Sequence, residues 1–306
     1  MPRPLLANPP PWPGGARCAV CFSFDLDAES LLHIYHQQSA PSRLALSSAL
    51  RYGPFVAVPR LIKIWEAYKL RQTVFIPGWT MEAYPHAVTA LVEAGHEIGH
   101  HGWLHERPNT ITRDGEARVL DRAIKAFEHL VGNAPVGYRA PGYALSEHTV
   151  ELLVERGFTY DASLVGDDVP YLLQTQRGSL IEIPSDFSLD DWNQYASLEE
   201  FSWRMPIRAP ARALEVYQAE FDAAWNHGGL WISIWHPFLS GRLSRAEAMI
   251  ALIEHMIAKG SVWFAPMSEI AAHVRQLVAN GEWTPRTEDV PFWTEPVPHL
   301  APLRDR

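Results

Sequence analysis

The chain has 306 residues, 47% of them apolar, and a formal net charge of −9 at neutral pH. That apolar share supplies the core of one large α/β domain or two small ones and excludes a disordered chain. The acidic balance argues against nucleic acid or an anionic membrane as partner, and no apolar run in the sequence approaches the roughly 18 residues that a membrane span requires.

Residues 1–16 (MPRPLLANPPPWPGGA) form a proline-rich arm that cannot be helical. The arm has no apolar stretch of signal-peptide character, so a cytoplasmic protein is expected. Residues 18–25 read as a buried strand. Cys18 and Cys21 within it form a CxxC string, but on a strand they face opposite sides, which favours two small buried thiols over a redox pair or half a zinc site. Helical spacing of apolar residues follows at 58–70, then a strand at 73–76, a helix at 81–94 and a strand at 96–99. A charged amphipathic helix is expected at 114–131, a strand at 136–139 and a helix at 146–156 opened by a Ser cap. Further strands are read at 158–161 and 180–183, a helix at 213–226, a strand at 230–235, a helix at 244–259 ended by Gly260, a strand at 261–265 and a helix at 267–279. Loops occupy 29–54, 165–177 and 185–212, and a proline-rich tail is expected to wrap the surface. The domain thus runs over 17–280, with the tail at 281–306. Repeated βα units imply a parallel sheet. Without an early glycine-rich fingerprint they favour a closed or nearly closed barrel, with chemistry at the C-terminal strand ends.

The polar residues at those ends are Asp25, Asp27, His101, Arg139, Asp161 and His236. In GHEIGHHGWLH, His101 and His105 stand four apart, and a helical turn would put both imidazoles on one face, at a spacing that suits one metal ion. His96 and His100 have the same spacing, but an extended backbone separates them. Asp25 and Asp27, in FDLD, are two apart on a strand and point the same way. One of them can complete an Asp-His-His site with open positions, and the other can stand beside it as a base. With Asp27, His101 and His105 on a divalent metal, Asp25 would take a proton from water. Arg139 could fix Asp25 by a bidentate contact. His236 could protonate a leaving nitrogen, with Asp161 orienting its ring. Glu29 and Glu106 flank the site. Tyr143, Trp192, Trp235 and Phe238 are candidates to line a substrate pocket.

Together these strings resemble the polysaccharide-deacetylase superfamily, the NodB homology domain, over 18–272. The resemblance implies a deformed (β/α)7 barrel of metal-dependent amide hydrolases. It implies Asp25 as base, Asp27, His101 and His105 as metal ligands, Arg139 (in Arg139-Ala-Pro141) as the tether of the base, His236 as the acid and Asp161 as the group that tunes it. The family's first motif has adjacent aspartates, whereas Leu26 intervenes here. The DxDAE, HEIGHHGxxHE and SLDDW strings look like the branch that includes cyclic imide hydrolases and helical-bacterium peptidoglycan deacetylase-like proteins. That branch implies ring opening of a small cyclic imide, with N-deacetylation of peptidoglycan or chitin oligomers as the alternative. An allantoinase relative and a non-catalytic binding protein rank below both. Mixed O and N ligands suit zinc, with iron, cobalt, nickel or manganese as alternatives. The loops 29–54 and 185–212 are long enough to reach a neighbouring subunit, and a homo-oligomer is expected.

Overall fold

A computed structural model describes residues 5–293 of the chain. The first residues of the proline-rich arm and the end of the tail lie outside that range.

The strands in chain order are β1 (Cys18–Cys21), β2 (Phe24–Asp25), β3 (Thr73–Ile76), β4 (Glu97–His100), β5 (Gly137–Tyr138), β6 (Tyr160–Asp161), β7 (Tyr171–Thr175) and β8 (Gly178–Glu182). They continue with β9 (Ser197–Leu198), β10 (Trp203–Arg204), β11 (Leu230–Ile232), β12 (Val262–Phe264) and β13 (Thr287–Asp289). The helices begin with α1 (Ser30–Tyr35), α2 (Leu44–Tyr52), α3 (Val58–Tyr68), α4 (Gly78–Ala83), α5 (Pro85–Glu93) and α6 (Arg113–Leu130). They continue with α7 (Thr149–Glu155), α8 (Trp192–Tyr195), α9 (Pro210–His227), α10 (Pro237–Ser240), α11 (Leu243–Lys259) and α12 (Met267–Asn280).

Strands β2, β3, β4, β5, β6 and β8 pair in parallel, in that spatial order. β1, which runs directly into β2, pairs in parallel with β11. Isolated parallel bridges join Phe24 to Trp235 and, beyond β8, Asp190 to Ile234, so the pairing runs round a ring. β12 lies against β1 as an extra strand. This is an α/β fold of the expected deformed barrel type. Cys18 to Cys21 and Thr73 to Ile76 are buried on both faces, as helix-covered parallel strands must be. Both cysteines are free and buried, and burial pushes the Cys21 thiol up to about 12.

Three stretches expected as loops carry structure. Residues 29–54 contain α1 and α2, the latter burying Leu46 and Leu50, one helical turn apart. Residues 165–177 contain β7, which turns back antiparallel onto β8 and buries Tyr171 and Leu173 on alternate positions. Residues 185–212 contain α8 and the small β9–β10 hairpin. The expected helix over 81–94 is split into α4 and α5 at Tyr84, just before Pro85. The tail does more than wrap the surface, because β13 pairs in parallel with β7. No helix among the described residues is long and apolar enough to cross a membrane.

Candidate active site

The C-terminal strand ends open into a cavity of about 720 Å³ whose lining includes Asp25, Asp27, His101, His105 and His236. Asp25 ends β2, and its Oδ1 accepts from Arg139 Nη1 at 2.7 Å. The contact is single rather than bidentate: Arg139 Nη2 donates to Ser23 Oγ at 2.8 Å, and Nε donates to the Ala162 carbonyl at 3.1 Å. Arg139 is fully buried and lies 4.3 Å over the Phe75 ring. Burial alone would push the Asp25 carboxyl up, but Arg139, with His101 and His236, holds it below its ordinary range.

Asp27 lies two residues further on, past the strand end. Both of its carboxylate oxygens are buried without a hydrogen-bond partner. Oδ1 is 3.4 Å from His101 Nε2 and 3.9 Å from His105 Nε2. His101 Nδ1 sits 2.7 Å from the Arg139 carbonyl, so that nitrogen carries a proton and Nε2 is the one that faces Asp27. Burial pushes His105 well below its ordinary value, towards the neutral form. One ligand atom from each of Asp27, His101 and His105 fits within 4.8 Å of the others. Two orphaned carboxylate oxygens facing two neutral-capable imidazoles are a donor set that fits a divalent cation.

The turn that brings the two histidines together is not helical. Gly102 and His105 have φ of +73° and +62°, and the imidazole centroids stand 5.1 Å apart. A β-carbon at Gly102 would come within 3.2 Å of Pro141, so its backbone needs both the left-handed region and the space. Glu106 holds this loop from within, accepting from the Trp103 and Leu104 amides at 3.1 and 2.7 Å. Glu29 instead accepts from Ser47 and Tyr84, away from the metal-type cluster. His100 is buried behind the loop, where its Nδ1 accepts from the Gly102 amide and its ring stacks on Phe127.

Comparison with known proteins identifies the family. The Polysaccharide deacetylase family profile matches residues 52–160. The chain is 35% identical to "Peptidoglycan deacetylase-like protein FGM2" of Gibberella zeae, over 90% of this chain and 84% of that protein. The chain belongs to the polysaccharide deacetylase family. It is therefore a hydrolase of carbon–nitrogen bonds other than peptide bonds. The Helicobacter pylori "Peptidoglycan deacetylase" is 29% identical over 82% of this chain and 94% of its own length. The crystal structure of a Mycobacterium smegmatis protein assigned as a polysaccharide deacetylase superposes with a TM-score of 0.88. Their sequences are 42% identical, over 96% of this chain and 99% of that one.

Within this deacetylase-family barrel, the aspartate on His236 is not the expected one. Asp191 holds His236: its Oδ1 lies 2.7 Å from Nδ1, and its Oδ2 accepts from the His236 amide at 2.9 Å and from Ser240 Oγ at 2.5 Å. Burial alone would push the imidazole down, but Asp191 overcomes it and raises His236 to about 10. His236 Nε2 then faces the cluster, 3.6 Å from Asp27 Oδ2. Asp161 sits elsewhere in the ring. It accepts from Ser163 Oγ at 2.6 Å and lies beside Glu182 in the β6–β8 register. Burial pushes both carboxyls up, Glu182 well above its ordinary value with Asp161 beside it. The signal for Asp191 was the DDW string, an acidic pair in a long loop.

Two of the four expected pocket residues line the cavity. Tyr143 does so with its hydroxyl donating to Asp190 Oδ2 at 2.6 Å. Trp192 does so with its ring 5.3 Å from His236. Trp235 is core: neighbours on a strand face opposite ways, and its ring packs on Phe22, Phe24, Tyr217 and Trp231. Phe238 stands behind Trp192 at 6.0 Å and is not part of the lining. Tyr35, Phe187, Phe201 and Trp203 complete the aromatic wall, which sequence periodicity did not single out.

Proposed function

We propose that this hydrolase removes the acetyl group from an N-acetylated amino sugar, with Asp27, His101 and His105 holding a divalent cation. The observation that carries this reading is the opposed pair on the cavity floor: Asp25 held as a carboxylate by Arg139, and His236 held as an imidazolium by Asp191. A cation in the Asp27–His101–His105 cluster would supply Lewis acidity to the acyl carbonyl and acidify water. Asp25 accepts the proton of the attacking water as its oxygen bonds to the acyl carbon. His236 Nε2 delivers a proton to the departing nitrogen as the C–N bond breaks, leaving acetate and the free amine. Asp191 keeps that imidazole charged and oriented, and Arg139 keeps the base ionised in a buried setting. The peptidoglycan deacetylase names of the relatives support a sugar amide over a cyclic imide.

A second reading, ring opening of a cyclic imide, is favoured by the cavity of about 720 Å³, a volume that suits a small molecule. The same two proton transfers would serve it. The test is acetate release from N-acetylglucosamine oligomers and muropeptides, set beside ring opening of succinimide and phthalimide, with bound metal quantified. Acetate release that His105→Ala abolishes together with the metal is the expected result. Turnover of imides alone would replace the first reading by the second, and turnover surviving exhaustive chelation would remove the cation from both.

A further inference from the structure

We propose that Arg107 selects substrates that carry a carboxylate next to the scissile amide, and that it fixes which way they enter the cavity. The inference rests on the deacetylase reading above and narrows its substrate class. Arg107 lies at the cavity mouth and, among the described residues, is the only Lys or Arg in its lining. The other charged groups there are the carboxyls of Asp25, Asp27 and Asp190 and the histidines of the floor. Among the described residues no carboxylate or carbonyl pairs with the Arg107 guanidinium, whereas Arg139, buried at the floor, uses all three of its nitrogens.

The position of Arg107 is built rather than incidental. Its carbonyl accepts from both the amide and the hydroxyl of Thr110, which fixes the backbone immediately after the histidine loop. Its side chain lies on Gly142, where a β-carbon would come within 3.2 Å of Nε and 3.4 Å of Nη2. Gly142 has φ of +59°, and Tyr143 beside it also lines the cavity. The turn 141–143 thus leaves a bare backbone shelf on which the guanidinium rests, its planar fork available to a planar anion.

The charge distribution then orients the substrate. Arg107 holds an anionic group at the mouth, which leaves the neutral amide of the same molecule to reach the floor. A neutral acetamide has no such preference. An N-acyl sugar acid matches this pattern, and a neutral chitin oligomer does not.

The test compares N-acetylmuramic acid with its methyl ester, which differ by one charge. Binding is read from tryptophan fluorescence, since Trp192 and Trp203 line the cavity, and acetate release is followed in parallel. The acid should bind about fivefold more tightly than the ester, and added salt should narrow that gap. Arg107→Gln should bring the acid-to-ester ratio to about one, with Arg107→Lys in between. Equal binding of acid and ester by the unaltered protein, or an unchanged ratio in Arg107→Gln, would overturn the inference. If neither compound, nor the oligomers and muropeptides above, releases acetate while the acid still binds more tightly through Arg107, the deacetylase reading falls and the carboxylate site stands. If acetate is released from both and they bind alike, only the present inference falls.

Discussion

On the floor of the cavity, Asp25, Arg139, His101, Asp191 and His236 are buried and joined by hydrogen bonds of 2.7 Å. Along the rim the organisation is different. Tyr35 and Phe201 meet at 5.4 Å between ring centroids, Trp192 and Trp203 at 6.4 Å, and a bond from His36 to the Glu200 carbonyl ties α1 to the hairpin segment. The floor gathers its groups from β2 and the segments after β4, β5, β8 and β11, and each is locked by a partner that would be costly to orphan. The rim is apolar surface with few directional bonds, and Tyr35 and Phe187 are about half exposed. The floor is therefore built to fix charge and geometry, and the rim to shape what enters.

Substitutions on the two sides should separate along that line. Asp25→Asn has the largest expected effect: kcat about a thousandfold lower with metal content unchanged, measured by steady-state kinetics and elemental analysis. Unaltered kcat would remove the base from the floor. Asp191→Asn comes next, with kcat roughly a hundredfold lower. Because Asp191 raises His236, its loss lets the imidazole give up its proton at lower pH, so the alkaline limb of the kcat profile should move down. Asp161→Asn, which leaves the His236 contact intact, should leave that limb in place. Equal shifts in both variants would show that Asp191 has no special hold on His236. On the rim, Phe201→Ala should raise KM roughly tenfold and change kcat little; a fall in kcat instead would mean that rim and floor are coupled. A separate effect concerns stability and lies outside both regions. Burial pulls His96 from 6.5 down to about 4, so the folded state favours the neutral ring. That stability is present above pH 6.5 and is lost as pH falls towards 4, by up to about 1.4 kcal/mol per pH unit. Denaturant melts of His96→Gln should show a shallower acid loss than the unaltered chain.

The floor was more legible in the sequence than the rim, for physical reasons. Asp25, Asp27, His101, His105 and Arg139 lie at or just after strands that announce themselves as apolar runs, so their strand-end positions could be read directly. The mode of approach of the two histidines could not: a helical turn was the simplest geometry for a four-residue spacing, and Gly102 with its positive φ makes a different one. Asp191 is not legible as the partner of His236, because a carboxylate in a long loop has no periodicity and the two lie 45 residues apart. Asp161 has the strand-end position that its sequence suggests, on the side facing Glu182. Trp235 was separable in principle, since a residue next to His236 on an extended chain must face the other way. The wall made by Phe187, Phe201 and Trp203 depends on how residues 185–208 fold back over α1, which is a matter of long-range packing.

The pairing of Thr287–Asp289 with Tyr171–Thr175 has a consequence for any shortened form of the protein. Arg286 clamps that short strand by its ion pair to Asp167 at 2.8 Å and its position 4.3 Å over the Tyr171 ring. A chain cut before Arg286 would lose both clamp and cover, and one side of β7 would present bare amides and carbonyls to solvent. Exposed ladders of that kind recruit other chains, so the trimmed protein should self-associate through β7, at a site remote from the catalytic floor.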